Sequence, residues 1–463
     1  MTTHQESPQT PPLRSVAVIG AGIAGANAAL AFTRKGWRVD LYSNRNRNDL
    51  RNNSPATGTA ILFGASRTPD AEITTDRYAD VPTAHFTSSA ASVSGVTTFA
   101  SDLDYEAQSV DVRLRADDRI GEFLELAESD NGDTTGGQFI VQDVTTDSLD
   151  TIAAEHDLTF VATGKAGLAD LFETDEERTP YTEPQRYLIT VTTHGLPSDH
   201  VFAGRNTKPG SLLSIHDEGE VFVGPYLHKD WNGETDGTAN TDGDSWVLLA
   251  WARPGTDTEE AFRSAENAQD ALDVLKKVHR DNFPEVADDI DQLTTIDSDR
   301  YSWLKGAVTP RVHKPTATTA GGHLIATLGD TSIAVDPIAG QGAQLSTFQI
   351  AALAQGLQDA ETDGRDWDAD LLTELFDQHW EAHGASGVEV TTLFLADPKF
   401  ADVANEFFGT AAGDPEVART LFSLFSETAP ALTLRTAEDV QNLVASRREK
   451  AETAESEKAG ARV

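Results

Sequence analysis

The chain has 463 residues, with 75 acidic against 36 basic side chains and a formal net charge of −39. That balance repels phosphate-bearing surfaces and excludes a nucleic-acid or anionic-membrane binder; it suits a salt-rich host. The absence of cysteine excludes disulfides, cysteine metal sites and thiol nucleophiles, and no apolar run approaches a membrane span.

Residues 1–12 are polar and contain Pro, without the charged and apolar regions of a secretory signal. They are read as a disordered leader, and the protein is expected in the cytoplasm. "LRSVAVIG" (Leu13–Gly20) is an apolar run of strand length. An Ala-rich helix follows, closed by Gly36, and "WRVDLYSN" is a second strand, so the chain opens as βαβ. From Asn44 to Asn53 the chain reads as a loop. Residues 58–103 alternate apolar pieces with Thr, Ser and Gly and read as β-structure. Val110–Glu128 reads as a helix, and "HDLTFVATGKAG" as a buried strand ending in a Gly turn. Between Gln185 and Trp251 four apolar pieces, separated by turn-rich spans, suggest an antiparallel sheet. Residues 257–293 are helical in pattern, "HLIATLGD" is a last strand, and the chain beyond about 345 is helical. The tail "SRREKAETAESEKAGARV" is charged and expected to fray.

Gly20-Ala21-Gly22-Ile23-Ala24-Gly25 stands between a strand and a helix, the context in which GxGxxG binds a dinucleotide. Gly20 permits the tight turn, Gly22 lets a pyrophosphate approach the backbone, and Gly25 lets helix and strand pack closely. The helix N-terminus favours the negative charge. The competing reading is a mere Gly-rich turn. At the end of the second strand, where an acid commonly bonds the adenosine ribose, stand Ser43, Asn44 and Arg45. The Ser43 hydroxyl can bond the ribose and Arg45 can reach phosphate or adenine, but the missing acid argues against an ordinary NAD site.

A second glycine segment combines Gly329-Asp330 with Pro337 and Gly340-Gln341-Gly342-Ala343. In FAD-binding monooxygenase folds a Gly-Asp at a strand end places its carboxylate on the ribityl hydroxyls. The Pro and the glycine turn then start a helix aimed at the flavin ring, whose reduced form carries negative charge. The bland alternative is an ordinary helix start.

"VATGKAGLADLFE", "EPQRYLITVTTHG" and "GDTSIAVDPIAGQGA" resemble the FAD-dependent oxygenase component of styrene and indole monooxygenases. The resemblance covers residues 13 to about 355, and weakly the helical remainder. It implies a flavin contact at Arg113, and places Val144, Thr163 and Gly164 in the cofactor site. It implies an α/β chain: a Rossmann-like FAD-binding domain, an inserted mainly antiparallel β-sheet substrate domain and a helical C-terminal part. The division expected is 13–50, 104–170 and 300–355 for FAD, 51–103 and 171–299 for substrate, 356–445 for the C-terminal helices, and 446–463 for the tail. It implies FAD delivered as FADH2 by a separate NADH-dependent flavin reductase, with O2 and a small aromatic or alkene substrate as further partners. A homodimer is left open. Oxygen would pass from a flavin C4a-hydroperoxide to an electron-rich alkene, indole-like ring or thioether, with no side-chain acid or base. Thr57, Ala60, Thr87, Val308 and Pro310 are expected to wall the substrate pocket. The spans 54–63 and 85–95 depart from the family, with small residues where it carries Arg, Asn and aromatic side chains. A larger or more polar pocket follows.

Alternatives are a halogenase or reductase on the same fold, for which Lys165 and Lys305 are the nearest lysines, or a FAD-binding protein without catalysis. His379 and His383 stand at i, i+4, and an Asp/Gly run spans Asp236–Asp244, but neither has the order or spacing of a known metal motif, and no metal is expected. His194, His216, His228 and His313 are scattered and read as structural.

Overall fold

The structure, a computed structural model, describes residues 13–56, 61–128, 135–165, 167–202, 210–233 and 244–460. The first sheet has six strands in the order Thr316–Thr318, Leu324–Thr327, Leu158–Val161, Ser15–Ile19, Arg38–Ser43, Gln138–Val141. All neighbours are parallel except the outer pair Thr316–Thr318 and Leu324–Thr327. Parallel strands are covered on both faces, which is why their sequences are continuously apolar. Val16 and Val18 face the core formed with helices Ile23–Arg34, Val112–Ala127 and Gln341–Thr362; Ala17 and Ile19 face Leu149 and Ile152 of helix Thr146–Glu155. Phe32 stacks on Phe160 across that first core at 5.2 Å.

The second sheet has eight strands. Seven run in the order Thr294–Thr295, Tyr187–His194, Ser245–Ala252, Gly219–Pro225, Gly210–His216, His85–Val93, Thr97–Gln108, and Trp303–Ala307 also pairs with Tyr187–His194. Every pairing is antiparallel except His85–Val93 with Gly210–His216. One face packs under helices Asp257–Ser264, Ala268–Asn282 and Pro284–Ile290, through Phe262, Leu272, Leu275 and Phe283. On the other, Phe99, Leu188 and Trp251 pack with Ile338, Ala339 and the C-terminal helices. The turn carrying Ile338 and Ala339 is therefore pinned between the second sheet and the C-terminal helices. The whole of strand Thr97–Gln108, and Trp303–Ala307, belong to this sheet, whereas the sequence division puts residues from 104 and from 300 with the first unit.

Three local expectations are corrected. Residues 58–103 are not β throughout: Gly64–Ile73 is a helix, and its buried side chains Ser66, Asp70 and Ile73 follow helical spacing. Two of those three are polar, so hydropathy concealed the period. The loop expected at 44–53 contains helix Arg47–Asn52, whose N-cap Asn46 accepts the Asp49 N–H at 2.9 Å. The tail does not fray at 446; it continues helix Ala437–Gly460. Good helix formers carry it, and Arg447 and Arg448 anchor its start on Asp104, Glu427 and Asp414. Among the described residues no helix is long and apolar enough to cross a membrane.

Candidate cofactor site

Three parallel strands, Ser15–Ile19, Leu158–Val161 and Leu324–Thr327, end side by side, the Ala162 N–H donating to Ile19 at 2.8 Å and the Leu328 N–H to Val161 at 3.0 Å. Both glycine segments spring from this edge. Gly20 has φ +112°, and a Cβ there would lie 2.4 Å from the Ala162 carbonyl oxygen. A Cβ on Gly25 would lie 1.7 Å from the Gly20 carbonyl oxygen, so helix and turn touch backbone to backbone. Gly22 differs: no heavy atom lies within 4 Å of where its Cβ would be. It is the N-cap of helix Ile23–Arg34 and offers no side-chain cap. The first N–H groups of that helix therefore receive no side-chain cap, and the space beside Gly22 is open, as an anion site requires. Ala24 reaches the second segment, its Cβ 2.5 Å from the Cβ position of Gly329.

The Gly329–Thr331 turn is braced on several sides. The Gly329 N–H donates to Gln349 Oε1 at 2.9 Å, the Thr331 hydroxyl to the Gly164 carbonyl at 2.9 Å, and His313 Nδ1 lies 2.7 Å from the Thr331 carbonyl oxygen. Asp330 keeps its carboxylate half exposed, 3.2 Å from Lys165 Nζ. Its Oδ1 is 3.4 Å from the Cβ position of Gly342, so the carboxylate sits at the mouth of helix Gln341–Thr362. That helix begins after Gly340 in the left-handed conformation, φ +62°, again without a side-chain cap. Gly342 and Ala343 are half-buried. Gln341 is buried, and its Nε2 donates to the Ala339 carbonyl at 2.7 Å and the Phe425 carbonyl at 3.0 Å. Gln344 Nε2 donates to the Ile61 carbonyl at 2.5 Å, and its Oε1 accepts the Phe63 N–H at 3.1 Å. Pro337 opens a short 3-10 turn, Pro337–Ala339, capped by Asp336.

At the far end of the cradle Ser43 is buried and its hydroxyl oxygen accepts the Arg45 N–H at 3.1 Å; Asn44 and Arg45 are exposed. Val144 packs against the cluster holding Ile19 and Tyr42. Thr163 follows directly on the strand Leu158–Val161 through Ala162, and Gly164 has φ +79°.

Arg113 is buried and engaged. Its Nε and Nη2 donate to Asp111 at 3.0 and 2.7 Å, its Nη1 and Nη2 to Asp299 at 3.3 and 2.6 Å, and its Nη1 to the Ser54 carbonyl at 3.3 Å. Those bonds use the five N–H donors of a guanidinium, which leaves none for a flavin. Asp299 also meets His228 Nε2 at 3.1 Å and accepts the Tyr301 N–H at 3.0 Å. Burial pushes the Asp299 carboxyl up, but the bonds from His228 and Arg113 outweigh it and hold it well below the usual range.

Thr57 and Ala60 lie outside the described residues, as do 236–243 of the Asp/Gly run. Thr87 is half-buried at the register shift between Phe86 and Ser88. Val308 packs on the cluster that contains Ile338, Ala339 and Trp251, and Pro310 is buried. Lys305 donates to the Arg263 and Ala265 carbonyls at 2.6 and 2.5 Å. The π-helical turn Trp380–Gly384 carries His383 flat on Phe348, centroids 3.8 Å apart. His379 is buried, which depresses it to about 3. His216 meets Phe283 edge-on, and His194 is buried in the second sheet. The sequence reading passed over Gln349, which holds Gly329, and Asp336, one residue before Pro337. An Asp ahead of a Pro carries no motif of its own; only burial exposes it.

Two sheets in this order, with glycine turns at the strand ends, form the fold of flavin-dependent halogenases and hydroxylases. The fold matches a flavin-dependent brominase with a TM-score of 0.61 at 13% identity, covering 95% of this chain and 100% of that one. It matches 2-methyl-3-hydroxypyridine-5-carboxylic acid oxygenase at 0.55 and 14%, covering 92% and 99%. The sequence is more particular. Residues 164–288 match the family described as "Styrene monooxygenase A putative substrate binding domain". Styrene monooxygenase StyA of Pseudomonas fluorescens is 28% identical over 224 residues, and its counterpart from a Pseudomonas species is 27% identical. These matches cover 48% of this chain and 49% of each relative, so the chain spans about half the length of the curated relatives it matches. The likeness to styrene monooxygenase read from the sequence is thus found again.

Proposed function

We propose that this chain is a FAD-dependent monooxygenase of the epoxidase or sulfoxidase type, the oxygenase of a two-component pair that takes reduced FAD from a separate NADH-dependent reductase. One observation carries the reading. Two uncapped helix N-termini, at Gly22 and Gly340, belong to segments that follow strands Ser15–Ile19 and Leu324–Thr327 of the same sheet, with the Asp330 carboxylate beside the second. The donor set fits a dinucleotide with a ribityl chain: N–H groups for phosphate, a carboxylate for hydroxyls, and a second positive helix end for an anionic ring. The space at Gly22 is what a pyrophosphate would fill. The matched substrate-domain segment favours styrene-like chemistry over other uses of the fold.

Reduced FAD, when bound, supplies two electrons and two protons, so that one atom of O2 enters the substrate and the other leaves as water. The chain's own part is positional. Gly22 admits the phosphates, Asp330 exchanges Lys165 for ribityl hydroxyls, and Gly342 and Ala343 present their N–H groups to the ring. Ile338, Val308 and Trp251 form an apolar wall that excludes water. The substrate is an electron-rich alkene, an indole-like ring or a thioether. Lys305, one of the two lysines a halogenase reading would use, is held by two carbonyls, which disfavours that reading for it.

The test mixes the protein with chemically reduced FAD and oxygen, and assays styrene, indole and an aryl methyl sulfide by chromatography. Epoxide, oxidised indole or sulfoxide is expected. Tight FAD binding with hydrogen peroxide as the sole product would remove oxygen transfer from the reading.

A further inference from the structure

Asp336 is a buried carboxyl whose two oxygens are treated differently. Its Oδ1 accepts two bonds, from the Ile338 N–H at 3.0 Å and from Trp251 Nε1–H at 3.1 Å. Its Oδ2 is buried with no partner. An ionised carboxylate there would leave a charged oxygen without a donor, a costly arrangement in an apolar surround. A proton on Oδ2 removes that charge and keeps both bonds to Oδ1. The surround is apolar: Trp251, Ile338 and Ala339 belong to one cluster with Val390 and Leu393. Burial accordingly raises Asp336 to about 6, against the opposing influence of the Ile338 N–H bond first, then of Arg186, Lys165 and the Trp251 bond.

The charged groups around it are accounted for element by element. Arg186, before strand Tyr187–His194, is engaged by Glu220 of strand Gly219–Pro225 at 3.0 Å and by the Leu395 carbonyl at 2.9 Å. Lys165, after strand Leu158–Val161, is paired with Asp330. Strand Ser245–Ala252 contributes the Trp251 indole. Helix Ala385–Phe394, packed on the turn, carries Glu389, which is paired with Lys399 and Arg435. The start of helix Gln341–Thr362 is uncharged. Lys165 thus acts on two carboxyls, Asp330 by contact and Asp336 through space, and Asp336 belongs to the electrostatics of the helix mouth.

We infer that Asp336 is a proton-holding positioning residue: protonated, it clasps the Pro337–Ala339 turn to Trp251 of the second sheet and keeps a negative charge away from the helix mouth that receives the reduced ring. This rests on the reading given under Proposed function. Loss of the proton places an anion behind a site built for an anion, and binding of reduced FAD weakens.

The sign follows from the raised value. The folded protein holds the proton more tightly than the unfolded chain, so Asp336 contributes stability that is present below pH about 4 and lost as pH rises to about 6. Asp336→Asn carries no charge at any pH. The experiment measures Tm from pH 4.5 to 8 for the FAD-free wild type and Asp336→Asn. It also measures dissociation constants for dithionite-reduced FAD under anaerobic conditions at each pH. The variant is expected to gain on the wild type between pH 4.5 and 7 and then run parallel to it. The wild-type to variant ratio of dissociation constants is expected to be flat below pH about 6 and to rise above it, where the FAD-free protein loses the proton that the complex holds, by at most about tenfold per pH unit for one proton. Trp251→Phe removes one donor to Oδ1, which moves the wild-type midpoint upward; should Asp336→Asn not fold, this displacement alone decides. Parallel Tm curves throughout, a ratio independent of pH, or an unmoved Trp251→Phe midpoint overturns the inference. A wild type that binds no FAD at any pH would instead sink the cofactor reading beneath it.

Discussion

The glycine cradle and the Arg113 cluster are both packed around helix starts, yet one is open and the other closed. At Gly22 helix Ile23–Arg34 starts without a side-chain cap, beside space with no atom of another segment within 4 Å of the Cβ position. At helix Val112–Ala127 the Asp111 cap accepts the Arg113 N–H at 2.8 Å, and the Arg113 guanidinium spends every N–H on Asp111, Asp299 and Ser54. The first region is unsatisfied by design of its small residues and has affinity to give; the second has none left. A buried arginine at a helix start is therefore no evidence of a ligand until its donors have been counted.

The comparison is broken most severely at Gly25. Gly25→Val places a side chain into the Gly20 carbonyl and is expected to abolish soluble folded protein, scored by circular dichroism. Its neighbour sets the control: Gly22→Ala meets nothing, costs under about 1 kcal/mol in urea unfolding, and raises the FAD dissociation constant at least tenfold by fluorescence quenching. Equal stability losses at the two positions would contradict the open-and-closed picture.

The next effect lies in the closed region. Asp299→Asn leaves Arg113 and His228 short of a buried anion and is expected to cost about 3–5 kcal/mol of unfolding free energy, with FAD affinity unchanged in the fraction that folds. The Asp299 carboxyl is held below its usual range, so its contribution is present above pH about 4 and lost as pH falls below that. Wild type and variant should converge in strong acid. A tenfold loss of FAD affinity in Asp299→Asn would return Arg113 to the cofactor site.

Smaller effects follow at the surface. The Lys165–Asp330 pair is half exposed on both sides, so Asp330→Asn changes stability by under about 1 kcal/mol. It weakens FAD about tenfold, because a charged acceptor is lost to the ribityl hydroxyls. Lys165→Ala frees Asp330 and leaves affinity equal or higher. Smallest per residue is the net charge of −39: Tm should rise by several degrees between low and molar salt as the carboxylates are screened. A flat salt response would remove the saline-host reading.

Both glycine segments were legible in the sequence because their demands are local. Gly20 and Gly25 lie within one turn of each other, and a strand before and a helix after are visible as periodicity. The helix Gly64–Ile73 was not legible, because two of its buried positions are Ser66 and Asp70, and Ser66 is satisfied by Gln344, 278 residues away. Arg113 looked available because its partner Asp299 lies 186 residues further on. Asp336 looked like a turn residue because neither Trp251 nor the orphaned oxygen is visible in one dimension.

By itself, the sequence determined the βαβ opening, the two uncapped helix starts and the cofactor class they suit. Those features follow from backbone sterics acting within a few residues. Tertiary structure alone decided which polar groups meet: Lys165 with Asp330, Arg113 with Asp299, Asp336 with Trp251. Lys165 and Asp330 meet because their strands are neighbours in the first sheet, 165 residues apart in sequence, and the other two pairs also join segments distant in sequence; a charge is stabilised by what surrounds it rather than by what precedes it in the chain.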